Sequence, residues 1–232
     1  EKITLTLYKH DSTKTPSSVA DLTSSVDQTI TVTDGSEYVN YTVDTVGIVY
    51  DEVAAGKTNS ADYDKAIKVY GVLSNGSKVQ LTFGTDYSVS AVGNNDVHQD
   101  VSQDGVLNVA SSVGGYGDKS EVVVPITVTL NNGQTLTQDV TFSKVAPKVT
   151  AVKFVEAGAG VDGGAKTAYE IDTATKTTLN IAELINGPIF DLIVTDQYGV
   201  KKQANATGSV TFGDGTEVTA VTFTVAKVSG DI

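Results

Sequence analysis

The fold is decided by the stretch from Val122 to Phe142, which reads VVVPITVTLNNGQTLTQDVTF. Apolar residues occupy alternate positions on both sides of an Asn-Asn-Gly turn: Val124, Ile126, Val128 and Leu130, then Leu136, Val140 and Phe142. Alternation with a period of two residues means that one face of a strand packs on a core and the other faces water. Asn-Gly suits the positive φ of a tight turn. The stretch therefore predicts an antiparallel β-hairpin. Pro125 has no N–H for the ladder, so we expect it at an edge position or a bulge.

The same alternation recurs along most of the chain. Residues 30–43 and 68–83 each predict a hairpin that turns at Asp-Gly or Asn-Gly, and residues 3–8 predict a strand. Helical signals are confined to two short segments. Ser17 to Ser25 offers a serine N-cap, and Thr178 to Ile185 has Leu179, Ala182 and Ile185 at helical spacing. Short strands that must bury one face favour sandwiches, so the sequence predicts an all-β chain of tandem immunoglobulin-like β-sandwich domains.

Composition excludes several classes of function. The chain of 232 residues has 16 basic residues, all of them lysine, against 28 acidic residues, which gives a net charge of −12. Such a surface repels phosphates, so we expect no nucleic-acid partner. The absence of cysteine rules out disulfides, thiolate metal sites and a cysteine nucleophile, and it suits an exported bacterial protein. No run of about 18 apolar residues occurs, so we expect no membrane insertion. Because strand patterning begins next to Glu1, we expect a mature product or an excised piece.

An internal repeat indicates more than one module. The stretch from Val43 to Val49 (VDTVGIV) matches the stretch from Val149 to Val155 (VTAVKFV), 106 residues later. The second copy follows Ala146-Pro147-Lys148, where the proline interrupts strand pairing and forms a short, stiff connector. The spacing is that of one immunoglobulin-sized module.

The repeat predicts three pieces. They are residues 1–42 as part of a preceding module, residues 43–147 as one β-sandwich and residues 148–232 as another. A second, weaker repeat relates residues 68–79 to residues 191–202, since each pattern is a strand, a glycine turn and a lysine-bearing return strand.

Three motifs carry a resemblance to a known family. They are Ile193 to Gly199 (IVTDQYG), Gly84 to Val89 (GTDYSV) and Val145 to Val152 (VAPKVTAV). Together with the absence of Cys and Arg and the acidic charge, they resemble the immunoglobulin-like repeats of surface-layer (S-layer) proteins from Bacillus-type bacteria. The resemblance implies an extracellular protein of the cell wall whose partners are copies of itself in a two-dimensional lattice. It also implies calcium-dependent assembly and contact with wall polymer through a separate domain, and no such anchor is recognisable here.

Two groups of carboxylates are candidate calcium ligands. Asp96, Asp100 and Asp104 lie four residues apart in the polar stretch from Gly93 to Gly105, and calcium takes six to eight oxygen ligands in flexible geometry. The alternative interpretation is a solvated acidic loop. A second option is the joint between modules, near the acidic residues of the two repeat openings: Asp44, Asp51, Glu52 and Glu156.

Catalytic residues are scarce. His10 and His98 are the only histidines, and no G-x-S-x-G motif occurs, so we expect no enzyme activity. The tyrosines suit interfaces or the packing of strands: Tyr8, Tyr50, Tyr63, Tyr70 and Tyr116 are examples. We therefore expect a structural protein that assembles into a bacterial surface layer. The alternative is the stalk or binding module of a cell-surface adhesin or a secreted enzyme.

Overall fold

The computed structural model describes residues 2–8, 22–29, 38–90, 95–100, 102–166, 189–205, 207–213, 215 and 217–219. Regular structure in these ranges is β, apart from one turn of 3-10 helix at Ala61–Tyr63, which confirms the predicted all-β class. The strands are β1 Lys2–Tyr8, β2 Leu22–Thr29, β3 Tyr38–Val43, β4 Val49–Tyr50, β5 Lys65–Ile67, β6 Val69–Leu73, β7 Lys78–Gln80, β8 Tyr87–Val89, β9 Asp96–Gln99, β10 Gly105–Asn108, β11 Glu121–Leu130, β12 Thr135–Ser143, β13 Val149–Glu156, β14 Phe190–Asp196, β15 Lys201–Gln203, β16 Ser209–Thr211 and β17 Glu217–Thr219. No helix in the described ranges is long and apolar enough to cross a membrane.

The chain divides into two compact units, one formed by Glu1–Tyr41 with Gly71–Val79 and the other by Thr42–Tyr70 with Gln80–Ile232. In the first unit β1 and β2 pair antiparallel, which confirms the predicted strand at residues 3–8. The helix predicted from Ser17 is wrong where it is described, because its last four residues begin β2. Strand pairing along the whole of β1 stabilises this segment more than a single N-cap residue would stabilise a short helix. The other predicted helix, Thr178 to Ile185, lies outside the described residues.

The decisive stretch forms the predicted hairpin. Strands β11 and β12 pair antiparallel from Glu121↔Ser143 to Thr129↔Thr135. Gly133 closes the turn with a φ of 84°, a conformation that glycine adopts without a steric penalty. Five of the apolar side chains that were predicted to face the core are buried: Ile126, Val128, Leu130, Val140 and Phe142.

Pro125 occupies an edge position in this hairpin, as predicted. The Ser90 N–H donates to the Thr127 carbonyl at 2.9 Å, so the backbone groups of residue 127 point toward β8. Pro125 is two residues away and points to the same side. Strand β8 pairs only with Val128 to Leu130, so the missing N–H of Pro125 faces the part of β11 that β8 does not reach. The register with β12 shows no bulge at Pro125.

The second unit contains a two-layer sandwich. One layer is a four-stranded sheet in the order β4-β12-β11-β8, and another is a three-stranded sheet in the order β5-β10-β9. Tyr87 of β8 connects them, because its buried hydroxyl donates to the Ile67 carbonyl of β5 at 2.7 Å and accepts the Gly105 N–H at 3.1 Å. The remaining sheets are β3-β6-β7, β13-β14-β15 and β16-β17.

The two segments of the weaker repeat, residues 68–79 and 191–202, are both hairpins with the same turn. Leu73 N–H bonds to the Ser77 carbonyl at 2.9 Å, and Asp196 N–H bonds to the Val200 carbonyl at 3.1 Å. The turn glycines, Gly76 and Gly199, have φ angles of 82° and 83°. The module boundaries at residues 42 and 147 stay a prediction, although strands on the two sides of residue 147 belong to different sheets.

Candidate functional site

The structure separates one of the three predicted calcium ligands from the other two. The segment from Gly93 to Gly105 was predicted as a loop, yet Asp96 begins strand β9 and is exposed, opposite Asn108 of β10. Asp100 and Asp104 flank the turn that joins β9 to β10. Because a strand rises about 3.3 Å per residue, Asp96 lies roughly 10 Å along β9 from this turn.

Groups of the protein itself hold the Asp100–Asp104 turn. Asp100 Oδ1 accepts the N–H groups of Ser102 at 2.9 Å and of Asp104 at 3.1 Å. Desolvation raises the pKa of Asp100, but the hydrogen bonds from Ser102 and Asp104 outweigh it, so the pKa lies below its usual value. Asp104 is buried, accepts a hydrogen bond from the Gln80 amide and lies 3.6 Å from Lys68 Nζ. A cation at this turn would have to compete with Lys68, and calcium binding by Asp96, Asp100 and Asp104 stays a prediction.

The carboxylates near the repeat openings do not converge on a metal centre. Asp51 is buried and accepts hydrogen bonds from the N–H groups of Ala54 and Val113, at 2.8 and 3.1 Å, and from the Tyr116 hydroxyl at 3.0 Å. Glu52 is also buried and accepts the Ser60 N–H at 2.8 Å, whereas Asp44 and Glu156 are exposed. Within the described ranges, no three carboxylate or imidazole side chains lie together in a way that would hold a metal ion.

A densely bonded turn in the described part of the chain joins β14 to β15 at Asp196-Gln197-Tyr198-Gly199. Asp196 Oδ1 accepts the backbone N–H groups of Tyr198 and Val200, each at 2.9 Å. An aspartate side chain that bonds backbone groups two and four residues ahead fixes a turn locally. Gly199 supplies the positive φ that this turn requires. The turn thus presents Gln197 and Tyr198 at the tip of the hairpin.

Tyr198 inserts among side chains from the segment before Pro147. Its ring stacks on Tyr50 with a centroid distance of 5.0 Å and meets Tyr63 edge to face at 5.8 Å. Its hydroxyl donates to the Val145 carbonyl at 2.5 Å and lies 3.1 Å from Ser143 Oγ. These side chains belong to a buried cluster drawn from both sides of the connector: Tyr50, Tyr63, Leu192, Val194, Tyr198, Val200, Ala204, Val210 and Phe212.

Gln197 holds the connector itself. Its side-chain carbonyl accepts the Lys148 N–H at 2.5 Å, and its side-chain amide donates to the Ala146 carbonyl at 3.0 Å. Its backbone N–H donates to the Lys148 carbonyl at 3.1 Å. Pro147, between these two bonded residues, is buried. Residues 146–148 are therefore fixed to the tip of the hairpin, and we call this set of contacts around residues 196–199 the joint.

Two lysines add electrostatic contacts to the joint. Lys65 Nζ donates to the Tyr198 carbonyl, and burial lowers the pKa of this lysine while the charge of Asp196 opposes the shift. Burial likewise raises the pKa of Asp196, against the Val200 and Tyr198 N–H groups, the Tyr63 hydroxyl and Lys65. At the rim, Lys202 Nζ lies 2.7 Å from Asp62 Oδ2.

The role of the joint was not predicted from the sequence. The motif from Ile193 to Gly199 supported only a resemblance, and Tyr50 and Tyr63 were assigned to interfaces or strand packing. Both are buried in the cluster with Tyr198, which is the packing role. The one available signal was the Asp-x-Tyr-Gly turn after a buried strand. Of the two histidines, His98 lies on β9 with Nε2 4.0 Å from Asp64 Oδ2, and His10 lies outside the described residues.

Comparison with known proteins gives structural likenesses only. No family model matches the chain, and no curated protein matches it. A solved structure described as domains 4-9 of the surface layer protein SbsC is similar over 77% of this chain and 25% of its own chain, with 21% sequence identity and a TM-score of 0.35. The chain thus spans a quarter of that structure. None of these comparisons assigns the chain to a family.

Proposed function

We propose that this chain is a structural building block of a bacterial surface layer, exposed outside the cell, and that its partners are further copies of itself. The observation that carries the proposal is the joint. A two-dimensional lattice repeats only if each subunit keeps one shape, so segments within a subunit must not swing about their connectors. Inter-domain motion is the usual expectation unless the interface is large and apolar.

The joint meets this requirement in two ways. A buried aromatic cluster shared by both sides of Pro147 resists separation because opening it would expose Tyr50, Tyr63 and Tyr198 to water. Hydrogen bonds from Gln197 to the connector add direction, since they are satisfied at one orientation only. No group in this arrangement needs a catalytic role.

The acidic net charge of the chain is the reason for the proposed dependence on calcium. With a net charge of −12, identical copies repel one another at short range, and divalent cations between neighbouring carboxylates would relieve that repulsion. In this proposal the cations act between molecules, where exposed acids of two copies meet. Calcium binding by Asp96, Asp100 and Asp104 would be intramolecular and is a separate prediction.

Assembly of the chain with and without calcium tests the proposal. Purified chain is incubated at increasing concentration with calcium, with magnesium or with a chelator, and is followed by sedimentation velocity and negative-stain electron microscopy. We expect ordered sheets or larger oligomers with calcium and monomers with the chelator. The variant Tyr198→Ala should sediment as a monomer and form no ordered sheets, because its segments no longer hold one orientation.

A stalk or binding module of an adhesin or a secreted enzyme is the alternative, and self-association separates the two. A rigid joint suits a stalk equally well, but a stalk has no need to bind its own copies. Chain that stays monomeric at every calcium concentration, while its joint remains closed, would contradict the lattice function and favour the stalk.

A further inference from the structure

Strand β4, near the start of the predicted module at residues 43–147, pairs with β12, the last strand before the connector. The two strands run parallel, with Val49 opposite Phe142 and Tyr50 opposite Ser143. All four residues are buried. The segment thus begins and ends on two adjacent, parallel strands inside the protein.

Two further bonds extend this pairing beyond the strands. The Asp51 N–H donates to the Ser143 carbonyl at 2.8 Å, just after β4. Before β4, the Gln138 side-chain amide donates to the Asp44 carbonyl at 3.0 Å. The contact between the two ends of the segment therefore runs from Asp44 to Asp51 on one side and from Gln138 to Ser143 on the other.

Direction decides how such a contact responds to tension. In a parallel pair the incoming chain joins β4 at one end and the outgoing chain leaves β12 at the opposite end. A pull on the chain therefore slides the strands along each other, across their hydrogen bonds, and loads those bonds together. The antiparallel pair β11–β12 has its two free ends side by side, at Glu121 and Ser143, so a pull there opens one bonded pair at a time.

We propose that the β4–β12 pair is a mechanical clamp that keeps residues 44–147 folded when the chain is pulled along its length. The clamp adds a function to the proposed one and does not depend on lattice assembly, because it needs only a chain that transmits force through its two ends. Tight packing around Val49, Tyr50 and Phe142 excludes water that would otherwise replace the strained hydrogen bonds.

Single-molecule pulling along two directions tests the clamp in the full chain. Because the sequence contains no cysteine, paired cysteines give unique attachment points. The pair Thr45→Cys with Lys148→Cys pulls along the clamp, and the pair Ser120→Cys with Lys148→Cys peels β12 from β11. All three positions are exposed, so the substitutions leave the core intact. Circular dichroism and thermal melting of both variants confirm that they are folded before attachment.

We expect a rupture force about twofold higher along the clamp, because that pull loads both register pairs of β4 at once whereas the peel loads one. Equal forces in the two directions, or a higher force in the peel, would overturn the proposal.

A side-chain variant makes the test specific to the clamp. Gln138→Ala removes the bond to Asp44, and we expect it to lower the rupture force along the clamp and leave the peeling force unchanged. Gln134→Ala is the matched control, since Gln134 lies beyond the opposite end of β12, and it should change neither force. A Gln138→Ala chain that loses force equally in both directions, or in neither, would show that the contact with Asp44 is not part of a clamp.

Discussion

Truncation of Tyr198 measures how strongly the joint holds the two segments. Tyr198→Ala removes a buried ring that packs on Tyr50 and Tyr63 and leaves a cavity, for which large aromatic truncations cost about 3–5 kcal/mol. Tyr198→Phe keeps the ring and removes only the hydroxyl contacts with Ser143 and Val145, so we expect a loss of about 1 kcal/mol. Urea unfolding followed by circular dichroism gives both values.

A matched control separates the joint from general destabilisation. Tyr87→Phe removes an equally buried hydroxyl that bonds Ile67 and Gly105 within one sandwich, so its cost should be similar. Only the joint variant should change the angle between segments. Spin labels on cysteines at Thr137 and Ala151, both exposed, report that angle as a distance distribution by double electron–electron resonance.

We expect a narrow distance distribution for wild type, Tyr87→Phe and Tyr198→Phe, and a broad one for Tyr198→Ala at urea concentrations where the variant is still folded. Two results would refute the reasoning. One is a stability of Tyr198→Ala within about 1 kcal/mol of wild type, because burial of the ring would then contribute little. The other is an unchanged distance distribution, which would mean that the connector alone sets the angle.

Three further predictions concern charge. Lys202→Ala should cost less than about 1 kcal/mol in thermal melting and cost less still at high salt, because its ion pair with Asp62 is partly exposed. Burial raises the pKa of Asp196, so the folded state binds its proton more tightly than the unfolded state. The stability of wild type relative to Asp196→Asn should therefore fall as pH rises from the usual aspartate pKa through the raised one, and denaturation across that window measures it. Calcium should raise the melting temperature more than magnesium does if Asp100 and Asp104 form a site, and the double substitution to Asn should remove that difference. An equal response of parent and double variant would eliminate this turn.

Local patterns predicted the hairpins at residues 68–83 and 122–142 because neighbouring residues determine them. The first strand of the hairpin predicted at residues 30–43 lies outside the described residues, and its second strand, β3, pairs with β6. In the stretch from Val122 to Phe142, alternation, the Asn-Gly turn and Pro125 all favoured the same structure, and each is decided within a few residues. The helix predicted at Ser17 is wrong because the local signal there is weaker than pairing with a strand distant in sequence. A short capping signal acts within one turn of helix, while pairing with β1 stabilises β2 along its length, apart from a register shift at Thr23.

Sites built from distant residues were beyond such patterns. Spacing along the chain suggested that Asp96, Asp100 and Asp104 cluster, but a strand lies between the first two and carries Asp96 away. Asp51 and Glu52 are candidate calcium ligands in the sequence, yet both are buried and accept the backbone N–H groups of Val113 and Ser60. Nothing in the periodicity tells which N–H groups will be near.

The kinds of bond at the joint determine how the proposed assembly would respond to salt. Its contacts are mainly aromatic packing and hydrogen bonds of Gln197 and Tyr198, and its partly exposed ion pair, Lys202 with Asp62, lies at the rim. Such contacts respond weakly to ionic strength, since screening acts on exposed charges. Repulsion between copies that each carry a net charge of −12 depends strongly on ionic strength. In the proposed assembly, salt and divalent cations would therefore act on the association between copies and leave the angle inside each copy unchanged, which is what an ordered layer needs.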